Sequence, residues 1–300
     1  MDLDHSWLIA LTAIADHGTF DAAARHLHLT PSAVSQRIRA LESEVGQVVV
    51  RRSVPAEPTP AGEALLRLAR QTALLHAETR RELGEREAEV TDLPLGVNAD
   101  SLATWFREVI GALADRGDVA LRLHVLDQAW SADLLRSGTV LAAVTSEPVA
   151  VQGCSVERLG TLRYLPAATP RFAERWRRGR GLDWARMPVV VFDDKDALQH
   201  QLLAARGHDL PPVVHRVPTS ADFHEAVRLG LGWGLLPEPQ LRPDLETRRL
   251  IVLDRRHHLD VALHWQRWRL RSRVLDAVTD EVRTAARATL RQGPPSIHGR

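Results

Sequence analysis

One short stretch near the start of the chain carries the side chains best suited to binding DNA. They are hydroxyl, amide and guanidinium groups, followed by a proline: Thr30, Ser32, Ser35, Gln36, Arg37, Arg39, Arg52 and Pro58. Glutamine can pair with adenine, arginine with guanine or phosphate, and serine with either. The same pattern also fits the solvated face of an ordinary helical bundle. The elements around these residues indicate which of the two interpretations is favoured.

A second set of polar residues, in the remaining two thirds, could bind a small ligand. Asp100, Asp127 and Asp193 each follow a predicted strand, where ligands of open α/β sheets bind, and they suit a cationic side chain or an α-amino group. Groups at two predicted helix starts suit a carboxylate: Asn98, Ser101 and Thr104 on one wall, and Thr219 and Ser220 on the other. Each acid could instead be a helix cap or a solvated turn residue, and Thr219 and Ser220 could be a plain N-cap pair.

The first sixty residues contain the elements that would position the DNA-binding groups. Apolar spacing predicts helices over 7–15 and from Thr19 to about residue 27, and Thr30-Pro31 begins a third helix over 32–44. Two short helices joined by a tight turn, the second polar on its exposed face, form a helix-turn-helix. A β run at 48–50 and the prolines after it predict a small wing beside the DNA backbone.

A long helix over residues 61–86 follows, with a leucine stripe that a second copy of the chain would cover. Residues 91–94 are predicted to be a hinge. Beyond it strands alternate with helices, including a helix over 102–114, which predicts α/β layers with largely parallel sheets in two lobes around a cleft. Trp105 and Trp233 are predicted to be core residues.

Composition excludes several other classes of protein. Asp2 and Asp4 precede any apolar stretch, which argues against a secretory signal, and no window is apolar enough to span a bilayer, so we expect a cytoplasmic protein with no membrane partner. The single cysteine, Cys154, allows no internal disulfide. Metal-ligand spacing, a phosphate-binding loop and a hydrolase motif are missing, which predicts no cofactor and no catalysis. The first sixty residues carry five arginines against seven acids, so DNA affinity must come from placement.

The sequence resembles that of a known family, the LysR-type transcriptional regulators. The resemblance lies in Phe20-Asp21-Ala22-Ala23-Ala24, Leu29-Thr30-Pro31-Ser32-Ala33-Val34-Ser35-Gln36-Arg37-Ile38, Leu41-Glu42 and Pro58-Thr59-Pro60-Ala61-Gly62. Within that family the chain resembles the ArgP/LysG subgroup in Ser35-Gln36-Arg37-Ile38, in Val54-Pro55 and above all in Val97-Asn98-Ala99-Asp100-Ser101-Leu102-Ala103-Thr104-Trp105. One departure is Glu57, which stands in the wing where similar proteins often carry a basic residue.

The resemblance implies a mixed α and β multidomain fold. We expect a winged helix-turn-helix over 1–60, a linker helix over 61–90, and a periplasmic-binding-protein-like effector domain over 91–292. Its first lobe would comprise about 91–161 and 266–292, its second lobe 162–265, and a tail 293–300.

The implied function is control of an amino-acid exporter gene in response to lysine or arginine. The implied partners are a double-stranded operator, a second or further copies of the chain, and RNA polymerase. Two alternatives stay open: a LysR-type regulator of another effector, and an architectural or replication-control DNA-binding protein that senses nothing.

Overall fold

The chain folds into an N-terminal helical domain, one long helix and a larger α/β domain. The computed structural model describes residues 2–84, 90–126, 131–194 and 196–293. The helices of these residues are α1 (His5–His17), α2 (Phe20–His26), α3 (Pro31–Val45), α4 (Pro60–Glu82), α5 (Ala99–Ala103), α6 (Phe106–Leu113), α7 (Ser131–Arg136), α8 (Pro170–Arg175), α9 (Leu198–Ala204), α10 (Ser220–Arg228), α11 (Glu238–Glu246) and α12 (Arg273–Thr289). The strands are β1 (Val50–Arg51), β2 (Glu57–Pro58), β3 (Thr91–Asn98), β4 (Val119–Leu126), β5 (Ala142–Thr145), β6 (Cys154–Ala168), β7 (Arg177–Arg178), β8 (Gly181–Leu182), β9 (Val189–Val191), β10 (Val214–Arg216), β11 (Gly234–Pro237), β12 (Ile251–Val252) and β13 (Leu259–Trp268).

Local signals fix the helices of the N-terminal domain. The Thr30 side chain accepts a hydrogen bond from the backbone of Ala33, Pro31 occupies the first turn of α3, and Gly46 ends the helix with a left-handed conformation, φ 72°. The strand predicted at 48–50 begins later, since β1 starts at Val50 and pairs antiparallel with β2. A single apolar core holds the three helices and this wing together, including Leu11, Ile14, Ala23, Val34, Ile38, Leu41 and Val49.

Helix α4 links the two domains. The Thr59 side chain caps it, and the predicted end at residue 86 is wrong because the helix stops at Glu82. Part of its apolar stripe is buried within the chain, against both domains. Leu68 and Leu75 remain exposed, by 41% and 38%.

The α/β domain is built on one seven-stranded sheet in the order β11-β6-β13-β5-β3-β4, with β12 also paired to β6. The prediction of largely parallel sheets is wrong for this sheet. Strand β3 runs parallel to β4 and β5, whereas β13 runs antiparallel to both β5 and β6. A separate parallel pair, β9 and β10, lies beside β11.

Two long strands, β6 and β13, pass from one lobe to the other. The first half of β6 pairs with the part of β13 that joins β5, and its second half pairs with β11 and β12. Both strands are irregular at the crossing, where Gly160 has φ 148° and the register shifts between Leu263 and His264. The sequence did not predict β6 because Gly160 and Pro166 interrupt its pattern.

Two other predicted boundaries are wrong. The residues expected to form a hinge at 91–94 lie inside β3, and the helix expected over 102–114 is two helices, α5 and α6. Thr104 separates them with φ −120° and ψ −105°. This turn places Trp105 in the core, where it is 1% exposed and packs edge-on against Phe106. Trp233 is fully buried against Trp184, as predicted for a core residue.

Cys154, at the start of β6, is a buried residue of 1% exposure. Burial raises the pKa of its thiol to about 11. Since the thiolate is the reactive form, burial makes this thiol a weak nucleophile.

Candidate functional site

The exposed face of α3 presents the groups expected to bind DNA. Ser32, Gln36 and Arg39 are all exposed, and a rotation of about 100° per residue places them on one side of the helix. The opposite side is buried through Val34 and Ile38. A helix that is anchored in the core on one side and polar on the other can enter the major groove.

Thr30, Ser35 and Arg37 differ from that face. Thr30 is exposed, but its hydroxyl caps α3 and lies 2.9 Å from the Ser32 hydroxyl. Ser35 and Arg37 are half-buried, and Arg37 lies on the flank of the helix rather than on the polar face. Hydrogen bonds from Ser6 lower the pKa of the Asp4 carboxyl, and the Arg37 charge lowers it further.

The wing carries one well-placed cation. Arg52 is exposed, and its guanidinium lies 5.3 Å from the centre of the Phe20 ring at the start of α2. Pro58 is half-buried in β2, opposite Val50. Glu57, its neighbour, is exposed and lies opposite Arg51 in the register of the two strands, so the wing presents a negative charge beside Arg51.

A cavity of about 810 Å³ lies between the two lobes. Of the residues predicted to bind the ligand, Asn98, Asp100 and Asp193 line it. Sequence reasoning missed other polar residues on its wall, including Asp133, Arg136, Glu147, Tyr164, Asp196 and Gln199. The same strand-end rule would have identified two of them, because Glu147 follows β5 and Asp196 follows β9.

Asp100 joins the two sides of this cavity. One oxygen of its carboxylate accepts a hydrogen bond from the Tyr164 hydroxyl of β6 at 2.8 Å, and the other accepts from the Ser220 hydroxyl of α10 at 2.9 Å. Burial raises the pKa of the Asp100 carboxyl, although both hydrogen bonds act in the opposite direction. The residue therefore holds α5 of the first lobe against α10 of the second.

Two buried amides face the cavity with unused hydrogen-bonding atoms. Asn98 is 3% exposed, and neither its Nδ2 nor its Oδ1 has a partner among the described residues. Gln199, 1% exposed on α9, likewise leaves its Oε1 unsatisfied within that part of the chain. A buried amide without a partner costs free energy, so a polar ligand would satisfy both.

The loop after β9 holds two neighbouring carboxylates at the wall. The Asp196 carboxylate accepts hydrogen bonds from the backbone nitrogens of Phe192 and Leu198, and the Asp193 carboxylate accepts from the nitrogen of Asp196 at 2.9 Å. Burial raises the pKa of the Asp196 carboxyl, and the nearby Asp193 charge raises it further. A cation in the cavity would relieve this repulsion.

Four other residues predicted to bind the ligand do not line the cavity. Ser101 is fully buried, the Thr104 hydroxyl donates to the backbone oxygen of Asp100, and Ser220 is bound to the Asp100 carboxylate. Thr219 caps α10, as the alternative interpretation of this residue held. Asp127 lies outside the described residues.

The charge of the wall favours a cationic ligand. Five carboxylates line the cavity, whereas the guanidinium of Arg136 is its single basic group among the described residues and is already paired with Asp133 at 2.5 Å. Across the described ranges, no cluster of side chains has the arrangement of a metal site. None of the helices described is both long and apolar enough to cross a membrane.

A helix-turn-helix with a wing, joined by one helix to a two-lobed ligand cavity, is the architecture of a ligand-responsive DNA-binding protein. Residues 5–63 match the bacterial regulatory helix-turn-helix protein of the lysR family, and residues 86–287 match the LysR substrate binding domain. The chain belongs to the LysR family of transcriptional regulators.

Its relatives place it in the ArgP/LysG subgroup. It is 50% identical over 286 residues to the lysine export transcriptional regulatory protein LysG of Corynebacterium efficiens, covering 95% of this chain and 98% of that one. Full-length LysG of Corynebacterium glutamicum with bound effector Arg is 45% identical, with a TM-score of 0.78 over 96% of this chain and 100% of the other. ArgP of Mycobacterium tuberculosis is 44% identical, with a TM-score of 0.84 over 97% of this chain and 100% of the other. The expected family, subgroup and fold class are confirmed.

Proposed function

We propose that this regulator binds arginine or lysine in the cavity between its lobes and controls transcription of an amino-acid exporter gene. It acts in the cytoplasm on a double-stranded operator as a dimer or tetramer, with RNA polymerase as a further partner. The observation that carries the effector is the excess of carboxylates on the cavity wall. The relative with bound Arg supports the same assignment.

The parts of such a ligand match different parts of the wall. The guanidinium or ammonium group would bind near Asp193 and Asp196, where repulsion between carboxylates leaves a cation favoured. The α-amino and carboxylate groups would satisfy the buried Asn98 amide, which can both donate and accept. Asp100 would keep the lobes closed over the ligand through Ser220 and Tyr164.

Citrulline provides a direct test because it has the length of arginine without the charge. Calorimetric titration of the full chain with arginine, lysine, citrulline and leucine should give saturable binding of the first two. Citrulline should bind roughly 30-fold more weakly, since a hydrogen bond to a charged group contributes about 2 kcal/mol. Equal binding of citrulline and arginine would show that the cavity does not select charge. Failure of both basic amino acids would remove the effector and leave the family assignment in place.

Affinity for arginine should fall as the pH is lowered. Burial raises the pKa of the Asp100 and Asp196 carboxyls above the ordinary value of 3.8, and a bound cation favours their ionised form. Binding therefore lowers these pKa values and releases protons. The affinity for arginine is at its full value above the raised pKa values and decreases as the pH falls through them. Calorimetry from about pH 7 to about pH 4.5 would measure this, and a flat profile matching that of citrulline would contradict it.

The polar face of α3 leads to a separate prediction about the affinity for DNA. Gln36→Ala should weaken binding to a duplex selected by the unmodified protein from a random library by about 1–3 kcal/mol, and leave random-sequence binding nearly unchanged. Gln47→Ala is the matched control, because Gln47 is an exposed glutamine beyond the end of α3. Equal losses on both kinds of DNA would show that Gln36 does not contact bases.

A further inference from the structure

A carboxylate of the N-terminal domain is bound directly by the effector domain of the same chain. Asp16 lies in the last turn of α1, and its side chain is only 16% exposed. Its Oδ1 accepts a hydrogen bond from Arg70 of α4, and its Oδ2 lies 2.8 Å from Arg122 of β4. Arg122 also pairs with Asp92 of β3 at 2.7 Å. The DNA-binding domain is thus held to the first lobe by side chains as well as by the linker.

Arg70 also binds the effector domain. It is 9% exposed, and its Nη1 donates to the backbone oxygens of Gly138, at 3.1 Å, and Thr139. One turn earlier on α4, Arg67 donates to the backbone oxygen of Arg136. All three acceptors lie at the end of α7 or directly after it.

The contact between α4 and this turn leaves no free space. Gly138 has φ 71°, and a Cβ atom at this position would lie 2.6 Å from the Cα of Arg67. Asp16, Arg70 and Asp92, by contrast, border a small cavity of about 210 Å³, so their side chains have room to rearrange. A movement of the turn after α7 must therefore move α4 or the Arg70 side chain, whereas the contacts of the Asp16 carboxylate can change.

Helix α7 connects this arrangement to the effector cavity. Asp133 and Arg136 of α7 line the cavity wall, and the turn that follows them binds Arg70. The donors of a guanidinium are fixed in one plane, so Arg70 cannot follow its acceptors at 138–139 without changing its geometry at Asp16.

We propose that Arg70 couples occupation of the cavity to the docking of the DNA-binding domain through Asp16. A ligand that binds Asp133 or Arg136 differently in two positions of α7 shifts the balance between a docked and a released N-terminal domain. The ligand part rests on the proposed effector, whereas the docking part stands on the contacts alone. The interface is an intramolecular one, and Arg70 and Asp16 are positioning residues that lie outside the lining of the effector cavity.

Hydrogen exchange of the full chain tests the coupling. The amides of residues 137–141 and of α1 are hydrogen-bonded, so their exchange reports local opening. Saturating arginine should change exchange in both segments by at least about fivefold in the unmodified protein. In Asp16→Asn the change at 137–141 should persist and the change in α1 should fall below about twofold. Asp21→Asn, which removes the same charge from an exposed site on α2, should behave like the unmodified protein.

Two results would overturn the proposal. One is a ligand-induced change in α1 that is the same in Asp16→Asn as in the unmodified protein. The other is a change at 137–141 with none in α1 of the unmodified protein. Arg122→Gln repeats the test from the other side of the contact if Asp16→Asn does not fold.

A ligand-free comparison separates this proposal from the choice of effector. Calorimetry on the same samples shows whether arginine binds at all, and its failure would refute the proposed function only. Without ligand, Asp16→Asn should still speed exchange at 137–141 by at least about fivefold, because Arg70 loses its ion pair at position 16 and keeps at most a neutral hydrogen bond there, whereas Asp21→Asn should not. Unchanged exchange in Asp16→Asn would refute the coupling whatever the effector is.

Discussion

Asp193→Asn should weaken arginine binding by roughly 30- to 100-fold, which corresponds to about 2–3 kcal/mol. Asparagine keeps an oxygen that can accept the hydrogen bond from the backbone of Asp196, so the loop after β9 retains its shape. The change removes one charge from the wall and keeps the shape of the side chain and its hydrogen-bond acceptor. Calorimetric titration of the variant with arginine and with citrulline would measure the effect.

The decisive quantity is the ratio of the affinity for arginine to the affinity for citrulline. Asp193→Asn should leave citrulline binding nearly unchanged, so the preference for arginine should largely disappear. Asp194→Asn is the matched control, because Asp194 is next in the chain but its side chain is 80% exposed and paired with Arg216. A similar loss in both variants would indicate a general electrostatic effect, and no loss in either would place the ligand cation elsewhere, with Asp196 the next residue to replace.

Gly62→Ala should destabilise the DNA-binding domain by about 3 kcal/mol, since overpacking a well-packed core forces the backbone to move. Gly62 is buried in the first turn of α4, and a Cβ atom there would lie 2.0 Å from the backbone oxygen of Val49. That oxygen accepts the hydrogen bond from the backbone of Thr59 that fixes the wing against α4. The variant should lose DNA binding and still bind arginine.

Urea unfolding followed together with DNA binding and arginine titration would test this. Gly111→Ala is the control, because Gly111 lies within helix α6 with no atom close to its added methyl group. There the same change should be neutral or should stabilise by about 0.5–1 kcal/mol. Normal stability and DNA binding of Gly62→Ala would show that the wing can shift without cost.

Local sequence signals were sufficient for the N-terminal domain. The apolar spacing of Val34, Ile38 and Leu41 predicted the buried side of α3, and Thr30-Pro31 predicted its start. These signals act within one or two helical turns, where side-chain periodicity and capping chemistry determine the conformation. The strand-end rule likewise led to Asp100 and Asp193, which the structure places on the cavity wall.

Tertiary structure decided what depends on contacts between distant segments. Strand β6 was invisible in the sequence because its pairing with β13, some hundred residues later, overrides a local pattern broken by Gly160 and Pro166. The folded chain also decided which predicted ligand residues reach the cavity, since Ser101 is fully buried and Ser220 is bound to the Asp100 carboxylate. Tertiary packing also enclosed Asp16 between Arg70 and Arg122. Nothing in the sequence around these two arginines distinguishes them from surface residues. By itself the sequence determined the family, the helix-turn-helix and the carboxylates at strand ends. The crossing strands and the buried ion pairs follow only from the folded chain, because their stability comes from burial and long-range pairing rather than from neighbours in sequence.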